Sequence, residues 1–264
     1  MLLRHKASIH SRPVKGSRVY ICRLLKESTM KKLFLLLLLL ICPALYGQDV
    51  RTYIPTKAYA LLPIVKAESL RLMPDMHSPW YFGALMEHES CISLKHSRCM
   101  SPTSELLTKR EQGVGISMIT RAWNTDGTLR FDSLNDLRRR NMAELRELSW
   151  SNVKQRPDLQ VRTLILLTKG NYDSLYTIKD QEARLDMADA AYNGGPSGLR
   201  KEILTCSLAA NCNPQYWFGN VEKYCMKSKK PLYAGRSACD INRHHVSDVR
   251  HTRQDKYKLA FSKL

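Results

Sequence analysis

The residues best suited to proton chemistry are Glu87-His88-Glu89-Ser90, which close the apolar run Trp80-Tyr81-Phe82-Gly83-Ala84-Leu85-Met86. Read as a helix, Phe82, Leu85 and Glu89 stand at i, i+3 and i+7 and share one face. Glu87, two residues from Glu89, is expected on nearly the opposite side, toward water. The pattern therefore admits one of two neighbouring carboxylates into an apolar setting. A carboxyl group held against apolar side chains resists ionising, so its pKa rises and it can donate a proton near neutral pH. Cleavage of a glycosidic bond needs such a donor at the leaving oxygen.

Two further stretches could surround that acid. In Gly113-Val114-Gly115-Ile116-Ser117-Met118-Ile119-Thr120 the glycines permit close backbone approach. No strand-and-helix context marks it as a phosphate or dinucleotide loop. Ala188-Asp189-Ala190-Ala191-Tyr192-Asn193-Gly194-Gly195-Pro196 ends a helix rich in small residues, with Tyr192 and Asn193 expected at the exposed lip. An aromatic ring and an amide suit the apolar face and the polar substituents of a sugar; an ordinary helix C-terminus is the alternative. Asp126, Asp132 and Asp136 sit in turn and helix-start settings and read as turn and cap chemistry.

Helical periodicity dominates and predicts helices at about 57–73, 79–90, 133–148, 158–169, 182–193 and 214–225, hence a mainly α fold. Val161 to Leu167 is apolar on most sides and is expected to be the central buried helix. A polar loop with Pro102 is expected between the acid-bearing helix and Gly113. Residues 48–264 are expected to form one domain. Before them, Met30-Lys31-Lys32 and the apolar Leu33 to Ile41, followed by Pro43 and Ala44-Leu45-Tyr46-Gly47, have the layout of an export signal over about 30–47. That apolar stretch is too short for the roughly 20 residues of a membrane span. An uncleaved signal holding the chain at a membrane is the alternative. Residues 1–29 form a basic extension, and Met30 is a candidate start.

The 264-residue chain carries a net charge of +18. Residues 1–47 hold nine basic residues and one acidic; the rest has 33 basic and 23 acidic, a net +10. Such a charge steers a protein toward anionic surfaces, for example a cell wall. The basic residues are scattered without interleaved aromatics, which argues against a nucleic-acid partner. Residues 48–264 keep six cysteines, an even number suited to disulfides in an exported chain. Proximity along the chain favours Cys91–Cys99, Cys206–Cys212 and Cys225–Cys239. The irregular spacings, with no CxxC pair, argue against zinc. No cofactor or metal is expected, and the chain is expected to be a monomer.

In this order, Glu89-Ser90, then Gly113 to Thr120, then Ala191-Tyr192-Asn193-Gly194-Gly195 resemble the three signatures of the soluble lytic transglycosylases of the lysozyme-like superfamily, over about residues 57–225. The family carries an acid followed by Ser, a Gly-rich segment often written G-L-M-Q, and A-Y-N-x-G. The resemblance implies an α+β lysozyme-like domain with a groove for peptidoglycan glycan strands, acting in the periplasm or outside the cell. Glu89 falls on the family's catalytic acid and Ser90 on its supporting hydroxyl. Ser117, Met118, Tyr192 and Asn193 fall on the groove, and Glu222 loosely on a later sugar-binding acid. Where the family places Gln, this chain has Met118. The rivals are a goose-type lysozyme, favoured if Asp126, Asp132 or Asp136 faces Glu89, and a non-catalytic wall-binding protein of the same fold, favoured if Met118 blocks the groove.

Overall fold

The computed structural model describes residues 49–264, which lie within one compact unit, Gln48–Leu264. The candidate export signal and the residues before it lie outside the described residues. About half of the described chain is helical, and a small antiparallel sheet makes the class α+β. In chain order, α1 (Ala58–Leu72) and α2 (Tyr81–Ser90) lead to β1 (Glu105–Leu107), β2 (Glu111–Val114), β3 (Ile119–Trp123) and β4 (Leu129–Asp132). The short helices α3 (Ser133–Arg140) and α4 (Met142–Leu145) follow, then the long α5 (Pro157–Asp173), α6 (Gln181–Gly194) and α7 (Pro196–Ser207). A small hairpin, β5 (Pro231–Tyr233) and β6 (Arg236–Ser237), precedes α8 (Ala238–Ser247), a π-helical segment at Asp248–Arg253 and α9 (Gln254–Phe261).

Helix α5 starts with Pro157, whose missing N–H is not needed in a first turn, and with Asp158, which complements the helix dipole there. Leu159, Val161, Leu164, Ile165 and Leu166 are buried, and so are Gln160, Thr163 and Thr168. A helix buried on this many sides is central, as the apolar stretch 161–167 predicts. It packs between α1 and α6, and its two sides join separate apolar clusters: Val161, Leu164 and Ile165 with α2, Leu159 and Leu166 with the sheet and α3.

The four-stranded sheet has the order β1-β2-β3-β4, every pair antiparallel. These strands lie in the stretch that sequence periodicity left without regular structure, because each has only three to five residues. Residues 133–148 form two helices instead of one. Asn141 breaks the run: its backbone leaves the helical region at φ −131°, and its N–H and side-chain amide both donate to the Leu137 carbonyl, closing the helix there. Residues 214–225 are not an α-helix but turns with one 3-10 turn at Val221–Lys223. Gly219 there takes a left-handed φ of 71°, buried Trp217 anchors the segment, and Cys225 is tied to Cys239.

Three disulfides form, Cys91–Cys99, Cys206–Cys212 and Cys225–Cys239, with separations of 8, 6 and 14 residues. These are the pairs that proximity favours. Loops of that length correspond to roughly 2–3 kcal/mol of stabilisation each by the chain-entropy estimate.

Glu87 does not face water: it is fully buried. Its Oε1 accepts from Arg253 Nη1 at 2.6 Å and Lys256 Nζ at 2.7 Å, and its Oε2 from the Tyr257 hydroxyl at 2.7 Å. Lys256 Nζ also donates to the Val50 and Tyr53 carbonyls, so one ammonium joins both ends of the described chain to α2. Gly83 makes this approach possible, because a Cβ there would lie 2.4 Å from the Tyr257 ring. The helix is covered on both faces, and the sequence rule that sends Glu87 outward assumes a helix with one wet side. Glu87→Ala removes the buried carboxylate that two cations and a phenol share. A loss of about 3–5 kcal/mol in unfolding free energy by chemical denaturation is expected.

Candidate functional site

Glu89 stands in the last turn of α2 and lines a groove of about 890 Å3, a volume in the range of small-molecule sites. One wall is the β2–β3 turn, with Gly113, Ser117 and Met118; the other is the C-terminal end of α6, with Tyr192 and Asn193. Leu106 and Phe131 add exposed apolar surface to the wall formed by the sheet.

The turn owes its shape to one buried amide. Gln160 of α5 accepts from the Ile116 N–H at 2.9 Å and donates to the Pro102 carbonyl at 2.9 Å and the Val153 carbonyl at 2.5 Å. Gly115 rests against it with φ 80°, and a Cβ there would lie 2.1 Å from the Gln160 oxygen. Only glycine meets both the left-handed backbone and the close approach. Met118 closes the turn, its N–H donating to the Gly115 carbonyl, and itself adopts a φ of 42°. The two walls are fastened by the Tyr192 hydroxyl, which donates to the Ser117 carbonyl at 2.6 Å. Helix α6 is capped by Asp180, which accepts from the Ala183 N–H, and it stops at Gly195, φ 80°, before Pro196 starts α7. That stop sets Tyr192 and Asn193 at the rim.

Behind Glu89 lies a buried polar chain. His245 of α8 places Nδ1 3.3 Å from Glu89 Oε1 and Nε2 3.1 Å from Asp189 Oδ1. The Tyr81 hydroxyl donates to the same Asp189 oxygen at 2.6 Å. Both His245 and Asp189 are fully buried, whereas Glu89 keeps 15% of its side chain exposed to the groove. Neither His245 Nδ1 nor Asp189 Oδ2 has an aligned hydrogen-bond partner. Tyr192 stacks on the imidazole at 6.3 Å between centroids, and His88 meets it edge-on at 4.5 Å. Burial raises the Glu89 carboxyl to about 7, His245 opposes the rise and Asp189 adds to it. Burial works against a charged His245, but Asp189 and then Glu89 outweigh it and hold the imidazole above its usual range. His88 is pushed by burial down to about 4, its contact with Asp248 notwithstanding.

The expected site residues divide. Glu89, Ser117, Met118, Tyr192 and Asn193 line one groove. Ser90 is buried and structural: its hydroxyl donates to the Met86 carbonyl and accepts from the Met100 N–H, tying the Cys91–Cys99 loop to α2. Glu222 does not belong to this groove; it lines a separate cavity with Arg243 and Asp240 and accepts from the Gly219 N–H. The helix expected over 214–225, on which it would have stood, is absent. Asp126 accepts from the Thr128 N–H and hydroxyl in an exposed turn, and Asp132 caps α3 and receives the Trp150 indole N–H. Both do the cap and turn work that their settings predict. Asp136 does line the groove, and so does Glu111 of β2, which no motif marks. Sequence reasoning also missed Asp189 and His245. Asp189 had a signal, an acid among Ala188, Ala190 and Ala191; His245 had none.

Among the described residues no cluster of three or more His, Cys, Asp or Glu is placed to hold a metal ion, and no helix is long and apolar enough to cross a membrane. No protein-family model, curated protein or solved structure matches the chain.

A carboxyl raised above its unfolded value favours folding while it is neutral, and that contribution is lost as pH rises through the folded pKa. Glu89→Gln keeps the neutral form at every pH. Its stability relative to the parent is expected to climb between about pH 4.5 and 7 and then level off, by up to about 3 kcal/mol. Denaturant titrations of both proteins at pH 4 and pH 8 measure it.

Proposed function

We propose that the protein is an exported lytic transglycosylase with a lysozyme-like catalytic domain. It cleaves the β-1,4 bond between N-acetylmuramic acid and N-acetylglucosamine in peptidoglycan. The observation that carries this reading is Glu89: a carboxyl held near neutrality by burial, opening into a groove whose walls are the Gly-rich turn and the Tyr192-Asn193 helix end. Three disulfides suit an oxidising compartment, and the net positive charge suits an anionic wall.

The chemistry needs one group that first gives and then takes a proton. Glu89 donates to the glycosidic oxygen as the bond from that oxygen to C1 of the muramic acid breaks. The acetamido oxygen of the same sugar bonds to C1 and carries the positive charge. Glu89, now a carboxylate, removes the proton of the 6-hydroxyl as O6 closes on C1 and displaces the acetamido oxygen. The products are a 1,6-anhydromuramic end and a free 4-hydroxyl, with no water consumed and Glu89 again protonated. Asn193 offers an exposed amide at the groove wall, Tyr192 ties that wall to the carbonyl of buried Ser117, and the side chain of Met118 lies over Gly113.

A second reading has one observation in its favour. Asp136 and Glu111 line the groove with Glu89, and a hydrolase of the goose-lysozyme kind uses a second carboxylate to activate water. Asp136 is paired with Arg139 on its own helix. Mass analysis of fragments from purified peptidoglycan separates the two: anhydro ends are expected, and reducing ends in their place would refute the lyase. Glu89→Gln is expected to abolish cleavage while the protein still sediments with the glycan. Asp136→Asn and Glu111→Gln are expected to change KM without altering the ends produced. If either stops cleavage as fully as Glu89→Gln, the two-carboxylate hydrolase is the better reading.

A further inference from the structure

We infer that His245 and Asp189 form a positioning pair that acts on the proton chemistry of Glu89 from behind the groove. The inference rests on the role of Glu89 just proposed, but its physical core, a carboxylate-imidazole-carboxyl chain, can be read without turnover.

Asp189 is buried and, as a carboxylate, can only accept. Of its two oxygens, Oδ1 takes the Tyr81 hydroxyl and faces His245 Nε2. The Nε2 proton is therefore fixed by Asp189, which leaves Nδ1 for Glu89. That nitrogen is buried, 3.3 Å from Glu89 Oε1, and has no other partner. It can accept from a neutral Glu89, or carry a proton and pair with a Glu89 carboxylate. These are the two states through which Glu89 passes when it gives a proton to the leaving oxygen and takes one from the 6-hydroxyl. His245 cannot touch the glycan itself, being fully buried, so any contribution runs through Glu89. An imidazolium at this distance stabilises the carboxylate left after the first transfer, where the groove wall offers little water, and Asp189 balances the charge of that imidazolium.

The surroundings keep the assignment specific. His245 is faced by Glu89 and His88 from α2, by Asp189 and Tyr192 from α6, and more remotely by Asp248 from the π-helical segment. His88 is engaged with Asp248, Nδ1 to Oδ2 at 2.7 Å, and burial favours its neutral form. Asp248 is also paired with Arg253. Tyr192 spends its proton on the Ser117 carbonyl. On the groove side, Glu89 shares its cavity with Glu111, Asp136 and Arg130. Among these groups, His245 is the cation source that is within ion-pair distance of Glu89.

The test is carboxyl 13C NMR of the full chain labelled at glutamate, with Glu89→Gln assigning the resonance. His245→Phe keeps a ring against Tyr192 and removes the charge. The Glu89 midpoint is expected to rise by about one pH unit or more. The alkaline limb of glycan cleavage is expected to move up with it, and the maximal rate to fall at least about tenfold. Asp189→Asn is expected to lower the His245 midpoint, read from the imidazole 15N shifts. A folded His245→Phe protein with an unmoved Glu89 midpoint overturns the inference. If that variant does not fold, the parent decides: a His245 whose Nε2 lacks its proton at pH 7 overturns the inference equally, and a protonated Nε2 supports it. A folded parent that cleaves no peptidoglycan refutes the enzyme reading, while the two titrations still report whether the pair governs Glu89.

Discussion

The ion cluster around Glu87 is the interaction on which the remaining architecture depends. A carboxylate without exposure, two cations and a phenol would each be costly to bury alone, and together they satisfy one another. The cluster joins α2 to a C-terminal segment 166 to 170 residues away and, through Lys256, to the backbone at Val50 and Tyr53. Once that segment is down, α2 keeps solvent exposure at His88 and Glu89 in its last turn. Tyr257 lies against Gly83, and α8, which leads into the same segment, brings His245 to the back of Glu89.

The two glutamates on α2 thereby acquire opposite characters although two residues separate them. Glu87 is surrounded by donors, whereas Glu89 lies against an imidazole on one side and a groove on the other, with burial as the dominant influence on its proton. The groove is held in shape by equally few contacts. Gln160 fixes the Gly115 turn, Tyr192 ties that turn to α6, and the Gly195-Pro196 stop ends α6 at the rim. A side chain of the central helix α5 therefore sets the position of a wall that the substrate would touch.

Much of this was legible in the sequence where the deciding physics is local. The helix 79–90, the buried stretch 161–167, the stop after Asn193 and the nearest-neighbour disulfides each depend on residues a few positions apart. The strands were not legible, because elements of three to five residues carry too little periodicity. The 214–225 stretch misled because its apolar residues serve a turn held by Trp217 and a disulfide. Glu222 fell with it, and the Ser90 hydroxyl holds the Cys91–Cys99 loop to α2.

By itself the sequence determined that an acid would end an apolar helix, that glycines would permit a close backbone approach before Ile116, and that an aromatic-amide pair would sit at a helix end. Spacing along the chain is sufficient for those statements. Only the tertiary structure decided that Glu87 is buried in an ion cluster, that Glu111 and Asp136 share the groove of Glu89, and that Asp189 and His245 stand behind it. Desolvation and ion pairing depend on what covers a group, and what covers α2 comes from the far end of the chain.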